Sequence, residues 1–173
     1  MNKLYLITGF QEDIKSPNYQ DLIKSVEGRY EVVHIDLQEQ RHDLFSVLMD
    51  RARPQIIGDT SEDIVLGFSI GALVAWQLAG EYNFKKAIIC SICSVLEGDL
   101  SLYPSQEVAS IYTKEEVEEL NQTTYNKPLT QLSVIFYGGK ETKEVIARSK
   151  KLNKKFGGVL FSIGNADHEL SGE

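Results

Sequence analysis

Short apolar runs alternate along the chain with longer stretches of helical spacing. The apolar runs are Leu4 to Thr8, Val32-Val33-His34-Ile35, Ile64 to Phe68, Ala87 to Cys93, Leu132 to Tyr137 and Val159 to Ile163. Most are near-continuous rather than alternating, as expected of strands buried on both faces. Between them, Tyr19 to Val26 places Leu22, Ile23 and Val26 on one helix face, and Leu44 to Ala52 does the same with Phe45, Leu48, Met49 and Ala52. Ala72 to Ala79 is helix-like and almost wholly apolar. A further helix is expected around Val145, Ile146, Ser149, Leu152 and Phe156. Its other side carries Lys143, Arg148, Lys150, Lys151 and Lys154, read as a solvated basic face. Thr113-Lys114-Glu115-Glu116 is a capping-box signature that opens a short helix through Leu120, with Glu115, Glu116, Glu118 and Glu119 as its acidic first turns.

Strand and helix alternate from end to end, which predicts an α/β three-layer sandwich: a parallel sheet covered on both faces and joined by right-handed crossovers. With 173 residues and 42% hydrophobic content, the chain is the size of one domain with a real core, so residues 1–173 are expected to form a single domain. The stretch from about 95 to 129 is longer than a plain crossover and is read as a small cap over one end of the sheet.

A net charge of −7 argues against nucleic acid or an anionic membrane as partner and favours small neutral substrates. The apolar N-terminal stretch is too short for a signal peptide, and no later run reaches membrane-spanning length, so a cytoplasmic location is expected. Cys90-Ser91-Ile92-Cys93 resembles a redox or metal pair, but on a strand positions i and i+3 point to opposite faces. Both cysteines are read as core residues, and no metal is expected.

Chemistry concentrates at Gly67-Phe68-Ser69-Ile70-Gly71, a G-x-S-x-G sequence between an apolar run and a helix. A serine hydroxyl attacks well only when lifted out of the chain on a tight turn where a base can reach it. Of the three histidines, His168 alone follows the last predicted strand, where a loop leaves the C-terminal edge of the sheet, the edge at which open parallel sheets bind ligands. The carboxylate that orients the base is expected from another loop at that edge. Glu141, after Gly138-Gly139-Lys140, is the first choice, with Asp99 in reserve. Oxyanion stabilisation needs convergent backbone amides. Ile70 supplies one and the loop Thr8-Gly9-Phe10-Gln11 a second, assigned to Phe10 with Gln11 as the other choice.

On these motifs the chain resembles the α/β-hydrolase family, specifically compact members lacking the first two antiparallel strands. The likeness is carried by Thr8-Gly9-Phe10, the nucleophile elbow Gly67-Phe68-Ser69-Ile70-Gly71, Gly138-Gly139-Lys140-Glu141 and Asp167-His168, and covers essentially the whole chain. It implies a mostly parallel six-stranded sheet of order 2-1-3-4-5-6 and acyl transfer through a serine ester, without implying a substrate. The chain departs from the family in having Thr8 where many relatives have histidine, Glu rather than the commoner Asp as the acid, and only a few residues after His168.

The expected function is a serine hydrolase acting on a carboxylic ester or thioester, needing no cofactor, with a modest pocket lined by Tyr103, Tyr112 and Tyr125. A serine rather than an aspartate nucleophile argues against dehalogenase or epoxide hydrolase chemistry. Two other readings stay open: a non-catalytic binding protein on the same fold, and acyl transfer to an acceptor other than water. Substrate identity and oligomeric state are not read from these residues.

Overall fold

The computed structural model describes residues 1–93, 96–102, 105–168 and 170. Its strands are β1 (Lys3–Ile7), β2 (Glu31–His34), β3 (Ile64–Phe68), β4 (Lys86–Cys90), β5 (Leu132–Gly138) and β6 (Val159–Ile163). They form one sheet of order β2-β1-β3-β4-β5-β6 in which every neighbouring pair is parallel. The helices are α1 (Pro17–Val26), α2 (Phe45–Ala52), α3 (Ile70–Glu81), α4 (Ser105–Ile111), α5 (Lys114–Gln122) and α6 (Lys143–Phe156).

Right-handed crossovers decide which face each helix takes. The step from β1 to β2 runs towards one edge of the sheet, and every later step runs towards the other. On one face, α1 is therefore the only helix among the described residues, with Tyr19, Leu22, Ile23 and Val26 against Leu4, Leu6, Ile64 and Leu66. On the opposite face α2, α3 and α6 bury the main core around Tyr5, Val65, Trp76, Ile89, Ile135 and Leu152.

The expectation of a sheet covered on both faces therefore needs correction at one end. Val159, Phe161 and Ile163 are 39%, 47% and 39% exposed. They continue the row of Val134 and Phe136 on the α1 side, where no helix among the described residues reaches β5 and β6. Phe161 stacks on Phe136 with ring centroids 5.1 Å apart.

Three further expectations change. The fourth strand stops at Cys90, because Ser91 adopts a left-handed φ of 49° and turns the chain; Cys93 lies in the loop beyond. The sides of α6 are not simply apolar and solvated, since Arg148 is only 2% exposed and its Nε lies 2.9 Å from Asp99 Oδ2. Asp99 Oδ1 also accepts from Lys151 at 3.1 Å. Finally, two of the α5 acids reach beyond their own helix. Glu119 accepts the amides of Phe45 and Ser46 at 2.6 and 3.1 Å, capping α2, while Glu116 completes the capping box with Thr113 and contacts His42 Nδ1 at 3.0 Å.

These contacts dock the long connection after β4 on the helices. It is also stitched to α3: Trp76 Nε1 donates to Asn126 O at 2.9 Å, and the Gln77 amide donates to Thr124 O and accepts from Asn126 N at 2.8 and 2.7 Å. Removing one partner of a buried ion pair strands the other charge. Asp99→Asn is expected to lower stability by about 3 kcal/mol, read as a fall in the urea midpoint. An unchanged midpoint would show that the Arg148 charge does not depend on the Asp99 carboxylate for its stability in the fold.

Candidate active site

The elbow is built by close backbone approach. Ser69 sits at φ 54°, ψ −116°, a strained conformation for a residue with a side chain, directly before α3. A Cβ at Gly67 would lie 2.1 Å from Gly71 O, and one at Gly71 would lie 2.3 Å from Thr8 O. Only glycine at both positions lets α3 begin against β1 and β3, which lifts the Ser69 hydroxyl to the C-terminal edge of the sheet. The Ser69 amide donates to Cys90 O at 3.0 Å, tying the turn to the neighbouring strand.

The histidine and the acid arrive on two loops pressed together in the same way. A Cβ at Gly138 would meet Asp167 O at 2.2 Å, and one at Gly139 would meet Gly164 O at 2.2 Å. Gly139 N donates to Ile163 O and Lys140 N to Ala166 O, at 2.8 and 2.9 Å. His168 Nε2 thereby stands 3.1 Å from Ser69 Oγ, and its Nδ1 stands 3.3 Å from Glu141 Oε2. The Glu141 side chain is fully buried, whereas that of His168 is 46% exposed. Glu141 Oε1 is held separately, accepting from Ser91 Oγ at 2.6 Å and from Gly138 N at 2.8 Å. The reserve acid Asp99 is engaged by Arg148 and Lys151, away from this cluster.

The loop after β1 is pinned on both sides of Phe10. Gly9 N donates to Glu12 Oε2 at 2.8 Å and to Tyr19 Oη at 3.2 Å, and the Gln11 amide donates to Glu39. The Phe10 amide is left without an acceptor among the described residues. Burial, then the bond to Glu12, pushes the Tyr19 phenol above its usual range, so it remains a donor. Burial also raises Glu39, with Glu12, Asp36 and Asp43 adding to the effect against the pull of the Gln11 amide.

A cavity of about 600 Å³ opens beside Ser69. Phe10 and Ile70 line it next to the serine, with Phe45, Leu48, Ile111 and Leu120 as its apolar wall. Tyr112 lies on this wall. Tyr125 does not; it is buried in the main core, where its segment lies along α3. Tyr103 lies outside the described residues. The sequence reading missed the polar side of the cavity, Glu39 to Asp43, which follows β2 at the same edge of the sheet. Its position after a predicted strand was the available signal.

Neither a protein-family model nor a curated protein sequence matches the chain. Solved structures do. Est1E from Butyrivibrio proteoclasticus superposes with a TM-score of 0.76 at 13% identity, over 98% of this chain and 81% of that one. The ydeN gene product of B. subtilis gives 0.76 at 11% identity, over 98% and 89%. Mouse alpha/beta hydrolase domain-containing protein 10 gives 0.71 at 12% identity, over 96% and 82%. The chain has the α/β-hydrolase fold. In the α/β-hydrolase fold a nucleophile stands on the strand-to-helix turn and its partners follow in the order acid, histidine. Ser69, Glu141 and His168 occur in that order and meet at one point.

No group of His, Cys, Asp and Glu suited to a metal occurs among the described residues, and no helix there is long and apolar enough to cross a membrane. The cysteines are free, and burial pushes both thiols up to about 12. A raised thiol pKa means that both stay protonated in the folded protein at pH 8. Native protein is therefore expected to react slowly with a disulfide reagent such as DTNB at that pH, and quickly once unfolded in urea. Fast native labelling of Cys93, which lines the cavity, would contradict this.

Proposed function

We propose that the chain is a serine hydrolase that cleaves a carboxylic ester or thioester through an acyl-serine intermediate. The observation that carries this reading is the continuous line from Ser69 Oγ through His168 to a buried Glu141, at 3.1 and 3.3 Å, starting from a serine held in a strained turn. His168 Nε2 takes the hydroxyl proton as Oγ attacks the carbonyl, and returns it to the leaving alcohol or thiol. Glu141 accepts from Nδ1, which fixes the tautomer and stabilises the imidazolium as it forms. Water then attacks the acyl-serine with His168 again as base, the bond from the acyl carbon to Ser69 Oγ breaks, His168 returns the proton to Oγ, and the carboxylic acid leaves.

The oxyanion is assigned to the amides of Ile70 and Phe10. Ile70 is the first residue of α3, so its amide has no partner within the helix and lies at the positive end of the helix dipole. The neighbouring Gln11 amide is already engaged by Glu39, which favours Phe10 as the second donor.

The cavity volume and its apolar wall suit a short or medium acyl group, with Tyr112 beside it. Structural neighbours include a lipase-esterase related protein from Clostridium acetobutylicum (TM-score 0.67) and an epoxide hydrolase from Bacillus megaterium (TM-score 0.67). A serine at the elbow favours the first kind of chemistry, since epoxide opening in this fold proceeds through a carboxylate nucleophile.

A fluorophosphonate probe is expected to add once to the protein by intact mass, with no adduct on Ser69→Ala or His168→Ala. Glu141→Gln is expected to slow labelling by roughly 10²- to 10⁴-fold. Absence of an adduct on folded wild-type protein would replace this reading with that of a binding protein.

A further inference from the structure

The geometry points to Ser91 as a positioning residue that aims Glu141 at His168, an inference that rests on the proposed roles of Ser69, Glu141 and His168. Ser91 is fully buried and donates to Glu141 Oε1 at 2.6 Å, a short charge-assisted bond. Its backbone is held at φ 49°, a left-handed conformation that disfavours a side chain and in which glycine would be at ease. Ser91 N donates to Phe136 O at 2.9 Å, so the turn is fixed to β5, the strand that leads into the acid loop. A serine kept in a conformation that favours glycine needs a reason, and the hydroxyl bond to the acid supplies one.

The need follows from the length of the acid. Glutamate has one more rotatable bond than aspartate, so its carboxylate can swing between orientations unless a second group fixes it. The Gly138 amide and the Ser91 hydroxyl both bind Oε1, and Oε2 is thereby left to face Nδ1 of His168. The surroundings offer no water-like compensation, because the Glu141 side chain has no exposed surface. Without the Ser91 hydroxyl, one amide would hold Oε1 alone and the carboxylate could turn away from the imidazole.

Ser91→Gly removes the hydroxyl and accepts the backbone conformation, so the variant should fold. The test is an NMR titration of the His168 imidazole in wild-type protein, Ser91→Gly and Glu141→Gln, with His168→Ala for assignment, alongside fluorophosphonate labelling rates. A carboxylate aimed at the ring raises the imidazole pKa. Both variants are therefore expected to lower it, Ser91→Gly by less, and Ser91→Gly to slow labelling about tenfold to a hundredfold with little change in Tm. A lowered Tm with the His168 titration and labelling rate left at wild-type values would show that Ser91 is only a satisfied core hydroxyl, overturning the proposal while leaving the hydrolase reading intact. A His168 titration unmoved by Glu141→Gln as well would overturn both the pairing and the role of Ser91.

Discussion

Everything at the site depends on how closely α3 approaches the sheet. With no side chain at Gly67 or Gly71, the first turn of the helix rests on the carbonyls at the end of β1, and a single methyl group at either position would collide with backbone. That contact sets the strained turn of Ser69, places the start of the helix beside the serine and brings the β1 loop within reach of it. The same device recurs where Gly138 and Gly139 let the acid turn and the histidine loop touch. Glycine is thus used to bring rigid pieces together, and the side chains of Ser69, Glu141 and His168 hang from those pieces.

Topology explains why this happens at one place. The connection leaving β1 crosses to one face of the sheet and the connection leaving β3 to the other, so their loops part above the boundary between the two strands. Such a parting is where open α/β sheets form their crevices. Phe10 and Ser69 stand on its two sides, and the cavity extends from there towards α2 and the α4–α5 junction. Carboxylates close the far side: Glu119 caps α2 and Glu116 meets His42, adding polar ties to the apolar wall of Phe45, Leu48 and Leu120.

What could be read in the sequence was whatever is encoded locally. Period and continuity of apolar residues located all six strands, and the elbow glycines, the loop glycines and a histidine after the last strand marked residues that do come together in space. The features that escaped depend on distant partners or on conformation hidden by hydrophobicity. Ile88 to Cys93 is apolar except for Ser91, which signals burial, but burial does not distinguish the strand from the left-handed turn at Ser91. Arg148 looked like one more cation on a solvated face because Asp99, its partner, is far away in sequence. Tyr125 and Tyr112 are alike in composition terms, and only the stitching of residues 124–126 to α3 sends one into the core and leaves the other at the cavity.

The bare row on β6 bears on how long the site stays assembled. His168 is carried by the loop leaving that strand, an edge strand among the described residues with three half-exposed apolar residues, whereas Ser69 is carried by the wholly buried β3. Partial openings of a protein begin where burial is least. Fraying of β6 would therefore part the histidine from the serine while the rest of the sheet stayed closed. On this argument the site comes apart with the opening of one edge of the sheet, which amide protection along β6 would read, before the rest of the sheet unfolds.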